Sequence, residues 1–275
     1  MIVSLICRLR FLVMTCVFLA MPGIASAEAD LIGVQSIDIL SGWQKPDGHH
    51  MAALRIRLKP GWKTYWRAPG DAGIPPQFDW SGSKNIKSVE MMWPRPEVAT
   101  LGGMRSIVYH NEVIIPLEFT PEAVEKPIEM KAQVTLGVCR DICVPISLQF
   151  NVDLSPDETS PDPEIRQALA AQPETAQKAG VGAVTCQIEP IKDGLRVTAT
   201  IDIPSTGGEE TAVLEAPDQS IWVGQAETVR KGGTLIARAE MVPPSNAPFE
   251  LDSAKVRITV LGSDRAVDIR GCTES

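Results

Sequence analysis

The chain has 275 residues, a formal charge of −8 and 44% apolar residues, enough to bury real cores and too apolar for a disordered tail. An isoelectric point of about 5.0 argues against a nucleic-acid partner, and 22 Pro with 21 Gly disfavour coiled coils and long helical bundles. The three histidines, His49, His50 and His110, form no HExxH pair, and the sequence lacks a GxSxG elbow, a Walker loop and a GxGxxG turn, so the common hydrolase and nucleotide chemistries have no support.

At the amino terminus, Arg8 and Arg10 precede an apolar run from Phe11 to Ala20, followed by Pro22-Gly23 and the small triplet Ala25-Ser26-Ala27. This is the layout of a secretory signal, residues 1–27, with cleavage expected after Ala27. The alternative is an uncleaved anchor, against which the ten apolar residues fall short of the ~20 a spanning helix needs. Cleavage removes two bases and no acids, taking the formal charge from −8 to −10. It also removes Cys7 and Cys16 and is expected to deliver a product that does not span a membrane to an oxidising, periplasmic compartment.

Apolar residues then alternate with polar ones at the period of half-buried strands, as in Leu54-Arg55-Ile56-Arg57-Leu58. The same pattern marks Val34–Leu40, Ile86–Met92, Ile107–Phe119, Ile128–Leu136 and Val144–Leu154, with turn clusters at Lys45–Gly48, Arg67–Pro76 and Trp80–Ser83. Residues 28–154 thus read as an antiparallel sandwich of about seven strands, immunoglobulin-like in size. Residues 155–180 open on an acidic, proline-rich run that reads as a stiff linker without a core. Within it, Pro163–Gln177 has room for one short helix, with Asp162 as N-cap and Pro163 in the first turn. Alternation resumes through Leu195–Ile203, Thr211–Leu214, Leu235–Met241, Lys255–Leu261 and Ala266–Ile269, so residues 181–275 read as a second, smaller sandwich. The fold class expected is all-β, two immunoglobulin-like sandwiches joined by the linker.

Four cysteines remain after signal removal, Cys139, Cys143, Cys186 and Cys272, and they allow three pairings. Nearest-neighbour pairing gives Cys139–Cys143 and Cys186–Cys272. In the chain-entropy picture a five-residue ring stabilises by ~2 kcal/mol at most and an 87-residue ring by ~4.6 kcal/mol, so Cys186–Cys272 is the expected structural bridge. Cys139 and Cys143 flank a three-residue connection between β-rich segments, a common hairpin loop length. If they face each other, their α carbons lie ~4.5–5.5 Å apart, within disulfide range. A bond closing so small a ring at a hairpin tip suits exchange better than stabilisation. The competing readings are an inert hairpin disulfide and a pair of soft ligands for Cu(I) or Zn beside Met104 or His110. Arg140 would stabilise a thiolate and Asp141 oppose it, so these two residues are expected to tune the pair. Pro145 removes a ladder donor just after Cys143 and points to an open strand edge.

The runs Gly61-Trp62-Lys63-Thr64-Tyr65-Trp66, Pro69-Gly70-Asp71-Ala72-Gly73, Trp93-Pro94-Arg95-Pro96, Tyr109 with Val113–Phe119, and Gly137–Pro145 appear in the same order as in a known family. Over about Leu31 to Leu154 the chain resembles the amino-terminal periplasmic domain of the DsbD/ScsB thiol:disulfide interchange proteins. The second half resembles, more loosely, the extra β domain of the ScsB-type branch. The resemblance implies an immunoglobulin-like sandwich whose redox pair, here Cys139 and Cys143, relays electrons between thioredoxin-like partners. The second cysteine, Cys143, would form the mixed disulfide with the upstream partner. A cap loop within Val98–Tyr109 would shield the pair, with Leu101, Met104 and Tyr109 as its shielding residues in place of the family's aromatic wedge. The loop between the cysteines is shorter than in the best-known members. The family's membrane and thioredoxin-like domains have no counterpart in this sequence, so electrons are expected to come from a separate DsbD-, ScsB- or CcdA-type membrane donor.

Of the remaining candidates, Trp62, Tyr65 and Trp66 read as core residues or as a recognition patch. His49-His50 reads as a solvated turn, and Met91-Met92 as strand packing. The sequence therefore points to an exported thiol:disulfide oxidoreductase of the protein-disulfide reductase type, needing no organic cofactor, no metal and no nucleic acid. The alternative is a binding or scaffold sandwich without turnover, such as a copper-handling or assembly module.

Overall fold

A computed structural model describes residues 31–71, 73–101, 103–244 and 249–274, the side chain of Leu101 excepted. The expected signal segment, residues 1–27, lies outside the described residues. Leu31–Ser275 cluster as one compact unit.

Among the described residues, ten strands precede the first helix: β1 (Val34–Gln44), β2 (His50–Leu58), β3 (Lys63–Gly70), β4 (Gln77–Asp79), β5 (Ser88–Met91), β6 (Glu97–Leu101), β7 (Met104–His110), β8 (Glu112–Thr120), β9 (Ile128–Cys139) and β10 (Cys143–Leu154). They form two sheets, ordered β1-β2-β8-β5 and β10-β9-β3-β7-β6, with β4 also on β9. Leu54, Ile56, Ile115, Leu117 and Phe119 of the first sheet meet Trp66, Ile107, Met130, Val134, Leu136 and Val138 of the second in one buried cluster. The segment Ile107–Phe119 reads as one apolar run but is two strands in different sheets. The chain turns between them at Asn111, whose φ of 61° lies in the left-handed region that Asn tolerates better than most residues. The Arg67–Pro76 turn expected from its Pro and Gly starts later than the composition suggests, because β3 runs on to Gly70 and keeps Arg67 within a strand.

The connecting segment folds against what it connects. Helix α1 (Pro163–Ala170) starts as expected, with the Asp162 carboxylate accepting from the backbone N–H groups of Glu164 and Ile165. It ends well before Gln177, since Pro173 cannot continue it. β11 (Glu174–Thr175) and the single turn α2 (Ala176–Ala179) follow. Although the composition of this stretch suggests no core contribution, Ile165 is fully buried against Trp43, Met51 and Ala53.

The remaining strands are β12 (Val184–Ile191), β13 (Gly194–Asp202), β14 (Thr211–Glu215), β15 (Trp222–Val223), β16 (Glu227–Lys231), β17 (Thr234–Val242), β18 (Arg257–Leu261), β19 (Ala266–Arg270) and β20 (Thr273–Glu274). They also make two sheets, β11-β19-β18-β14 and β15-β17-β13-β12-β20, with β16 on β17. A second buried cluster lies among them, built on Val197, Ile201, Leu235, Met241, Ile258, Val260 and Ile269. The fold is thus mostly β throughout.

The two sets of sheets are locked by arginines. Arg67 Nε and Nη2 donate to the two oxygens of Glu215 at 2.9 and 2.8 Å, while its guanidinium stacks 3.7 Å from the Trp66 ring centroid. Arg95 donates to the carbonyls of Gly262, Ser263 and Asp264, and Arg105 to the carbonyl of Ala226. Leu261 and Ala266 complete the first apolar cluster.

Candidate functional site: a half-buried hairpin disulfide

The β9–β10 ladder runs in unbroken register from Ile128↔Leu154 to Cys139↔Cys143. Along β9, inward residues Ile128, Met130, Ala132, Val134 and Leu136 alternate with more exposed ones, but from Leu136 to Cys139 every residue is buried. Something therefore covers the outer face of the sheet at this end. The cover is Tyr65, 3% exposed, which packs with Val108 and Cys139 and is flanked by Ile74 and by Ala99 of β6. Two glycines make room for its ring. A Cβ on Gly137 would lie 3.0 Å from Tyr65 Cδ2 and 2.6 Å from Ile74 Cβ, and one on Gly73 would lie 2.7 Å from Tyr65 Cδ1.

Cys139 and Cys143 are joined by a disulfide, with their α carbons 4.2 Å apart. The two sulfurs are not equivalent. Cys139 is 1% exposed, whereas Cys143 is exposed beside Ile142, which is itself 65% exposed at the tip. β10 is the outermost strand of its sheet, and Pro145 sits on it opposite Gly137. The Tyr65 hydroxyl lies 2.9 Å from Cys139 Sγ, to which it donates, and 3.1 Å from Cys143 Sγ. Burial holds the Tyr65 phenol above its ordinary pKa, which keeps the proton on the donor. Cys143 is thus the more approachable residue of the pair, and Cys139 Sγ lies beneath a hydrogen-bond donor.

Arg140 and Asp141 sit in the turn, both exposed, and pair with each other through Nε and Oδ2 at 2.9 Å. The Arg140 guanidinium also lies 5.5 Å from the Trp62 ring centroid. Trp62, Tyr65 and Trp66 are all buried, in agreement with the core alternative, yet Tyr65 is also the residue that touches both sulfurs. The sequence leaves it outside the expected site, since nothing in either segment writes the pairing of β3 with β9 that brings it to the cysteines.

The expected shielding residues are placed unequally. The side chain of Leu101 lies outside the described residues. Met104, at the β6–β7 hairpin tip, is 51% exposed and belongs to none of the described apolar clusters. Tyr109 corrects the expectation, since it faces the other side of the sheet, is 6% exposed in the main core and donates its hydroxyl to Pro94 O at 2.7 Å. Among the described side chains of the β6–β7 hairpin, Val108 belongs to the disulfide cluster and Ala99 packs on it.

The second disulfide, Cys186–Cys272, has its α carbons 5.7 Å apart and closes a sequence separation of 86. Cys186 is 1% exposed in β12, and Cys272 lies just before β20, which pairs with β12 in parallel. The histidine turn divides. His49 is half-buried in the turn with Nδ1 3.4 Å from Glu118 Oε1, while His50 opens β2 at 3% exposure with Nε2 2.7 Å from Ser41 O, so the reading of the pair as a solvated loop is corrected. Among the described residues, Asp47, His49 and Glu118 gather ligand-type atoms, but the Lys45 ammonium already binds both carboxylates there. No helix among the described residues is long and apolar enough to cross a membrane.

Residues 36–153 match the family described as thiol:disulfide interchange protein DsbD, N-terminal. Among solved structures, the N-terminal periplasmic domain of ScsB from Proteus mirabilis aligns at a TM-score of 0.63 and 21% identity, over 85% of this chain and 91% of that one. An alignment of that extent takes in the second pair of sheets as well as the first, and it is a likeness of fold. The DsbD n-terminal domain of Neisseria meningitidis in the reduced form aligns at 0.30 and 15% identity, over 44% of this chain and 85% of that one. No curated protein matches the chain.

Proposed function

Residues 36–153 belong to the DsbD N-terminal domain family, which takes part in thiol:disulfide exchange, and on that premise we propose that this chain relays electrons through Cys139 and Cys143 between thioredoxin-like proteins. The observation that carries the proposal is the asymmetry of the pair, with one exposed cysteine at a hairpin tip and one buried beneath a phenol. A partner thiolate attacks Cys143, the Cys139–Cys143 bond breaks, and a mixed disulfide forms. The partner's second thiolate then resolves it, leaving the partner oxidised and the pair reduced, ready to pass two electrons to the next disulfide.

The reading extends to the frame around the pair. The protein works in the periplasm after loss of residues 1–27, and a membrane protein supplies its electrons. Residues 28–154 form the redox domain, 155–180 the connection and 181–275 a second sandwich stapled by Cys186–Cys272. The β6–β7 hairpin serves as the cap, with Ala99 rather than Tyr109 against the disulfide.

Trapping tests the proposal directly. Cys139→Ser leaves the exposed thiol and should capture thioredoxin-like proteins as mixed disulfides from periplasmic extract, whereas Cys143→Ser should capture few or none. Equilibration of the wild-type pair in a glutathione series should give a reversible midpoint. Failure to capture any partner with either variant, together with a pair that glutathione cannot reduce, would overturn the proposal in favour of a structural hairpin bond.

A further inference from the structure

β3 lies between β9 and β7, and its first residue, Lys63, is in register with Cys139 on one side and with His110 on the other. Residues directly opposite in an antiparallel pair project from the same face, with Cβ atoms ~4.5–5.5 Å apart. The same face carries Tyr65, two residues further along β3, whose hydroxyl touches Cys139 Sγ. Cys139, Lys63 and His110 therefore form one row across three strands on the outer face of the sheet.

The other ionisable groups facing this row have partners. Glu97 of β6 holds His110 Nδ1 at 3.0 Å, and Asp141 holds Arg140 at 2.9 Å. β10 contributes no ionisable side chain near the tip apart from Cys143, its first residues being Val144, Pro145, Ile146 and Ser147. Lys63 is half-buried and makes no salt bridge among the described residues. On reduction its neighbour becomes a thiol or thiolate, and an ammonium at cross-strand distance then acquires an anion to pair with.

We propose that Lys63 stabilises the thiolate that Cys139 becomes when the disulfide opens. The inference rests on the exchange reading above and adds the group that sets how easily the buried sulfur leaves. A partner thiolate forms a bond to Cys143 Sγ while the Cys139–Cys143 bond breaks, and its electron pair departs on Cys139 Sγ beside the Lys63 ammonium and the Tyr65 hydroxyl. The partner's second thiolate then attacks its own bonded sulfur and releases Cys143, which takes up a proton. The partner ends as a disulfide and the pair as Cys143 thiol with Cys139 thiolate, the second proton passing to solvent, or to Cys139 at low pH. A leaving thiol of lower pKa departs faster, so Lys63 is a positioning residue for the charge of this step.

Single-cysteine proteins test this without any partner. In a Cys143→Ser background the ultraviolet thiolate absorbance reports the ionisation of Cys139, and Lys63→Met should raise its pKa by about one unit. Lys63→Gln, of similar length, should do the same, and Lys63→Arg should restore the original value. In a Cys139→Ser background the same changes should move the exposed Cys143 less. With both cysteines present, Lys63→Met should favour the disulfide by about tenfold against glutathione, a shift of about 30 mV to more negative potential. An unmoved Cys139, an Arg variant that behaves like Met, or an equal shift at Cys143 would overturn the role of Lys63. If instead the wild-type pair proves irreducible while Cys139 responds to Lys63 as stated, the exchange reading fails and the electrostatic coupling stands.

Discussion

Cys139–Cys143 and Cys186–Cys272 are the same bond in opposite settings. The first joins residues four apart on facing strands of a hairpin that already holds them in register, with one of the two cysteines exposed. The second joins residues 86 apart, tying β12 to the chain just beyond β19, with Cys186 fully covered. A ring closed by five residues takes little entropy from the unfolded chain, and the ladder from Ile128 to Cys139 does not need it. A ring of 87 residues constrains nearly the whole second pair of sheets. Loop length and exposure together separate a bond that can be exchanged from one whose loss would be felt across the fold.

Removing each bond should make that contrast measurable. Cys186→Ala with Cys272→Ala is expected to cost up to ~4.6 kcal/mol of unfolding free energy, and Cys139→Ala with Cys143→Ala at most ~2 kcal/mol, both read from urea denaturation. Equal losses would break the comparison. Gly137→Ala sharpens it from the other side, because the new Cβ meets Tyr65 and the Cβ of Ile74, neither of which can retreat without opening the cluster. Overpacking of this kind costs ~1–3 kcal/mol. It should also displace the Tyr65 hydroxyl from the sulfurs, so the glutathione midpoint should move along with the melting temperature.

The strands of this protein were legible because alternation at period two is strong in Leu54–Leu58 and along Ile128–Leu136, and the hairpin disulfide was legible because a three-residue connection leaves the two cysteines little choice. The start of α1 was equally plain from Asp162-Pro163. What escaped was what depends on distance along the chain. Arg67 meets Glu215 across 148 positions, and nothing local in Arg67-Ala68-Pro69 distinguishes a buried cation from a turn residue. The resemblance puts Tyr109 in the cap, but one step of strand parity turns it into the core. Of the two readings of Tyr65, core residue or recognition patch, the structure bears out the core one, yet the same burial aims its hydroxyl at the disulfide. Ile165 was hidden by the composition around it, since a proline-rich acidic run says nothing of the one apolar side chain that a capped helix turns inward.

A smaller effect isolates the phenol. Tyr65→Phe keeps the ring between Gly73 and Gly137 and removes only the hydroxyl, so stability should fall by ~0.5–1.5 kcal/mol at most. The donor to Cys139 is lost, so the leaving thiolate is less well stabilised. Reduction of the pair by a small thiol should slow and the midpoint should move to more negative potential, in the same direction as Lys63→Met. Combined with Lys63→Met, the two changes share one sulfur and should not add. An additive double variant would mean that the hydroxyl and the ammonium serve different atoms.

The smallest effect distinguishes the two cores by acid. Burial holds the His50 imidazole below its ordinary pKa of 6.5, with the hydrogen bond to Ser41 O opposing the shift only in part. The unfolded chain therefore binds a proton that folded His50 refuses. Stability from this residue is fully present above the unfolded value and declines as pH falls below about 6.5, through the window down to the lowered folded value. The residue belongs to β2, so the decline should appear in the unfolding of residues 34–154 and be absent in His50→Gln. Amide exchange measured between pH 7 and pH 5, a range chosen around the ~6.5 reference value, should show faster opening of β2 and β8 in the wild type, with β12, β13 and β17 unchanged.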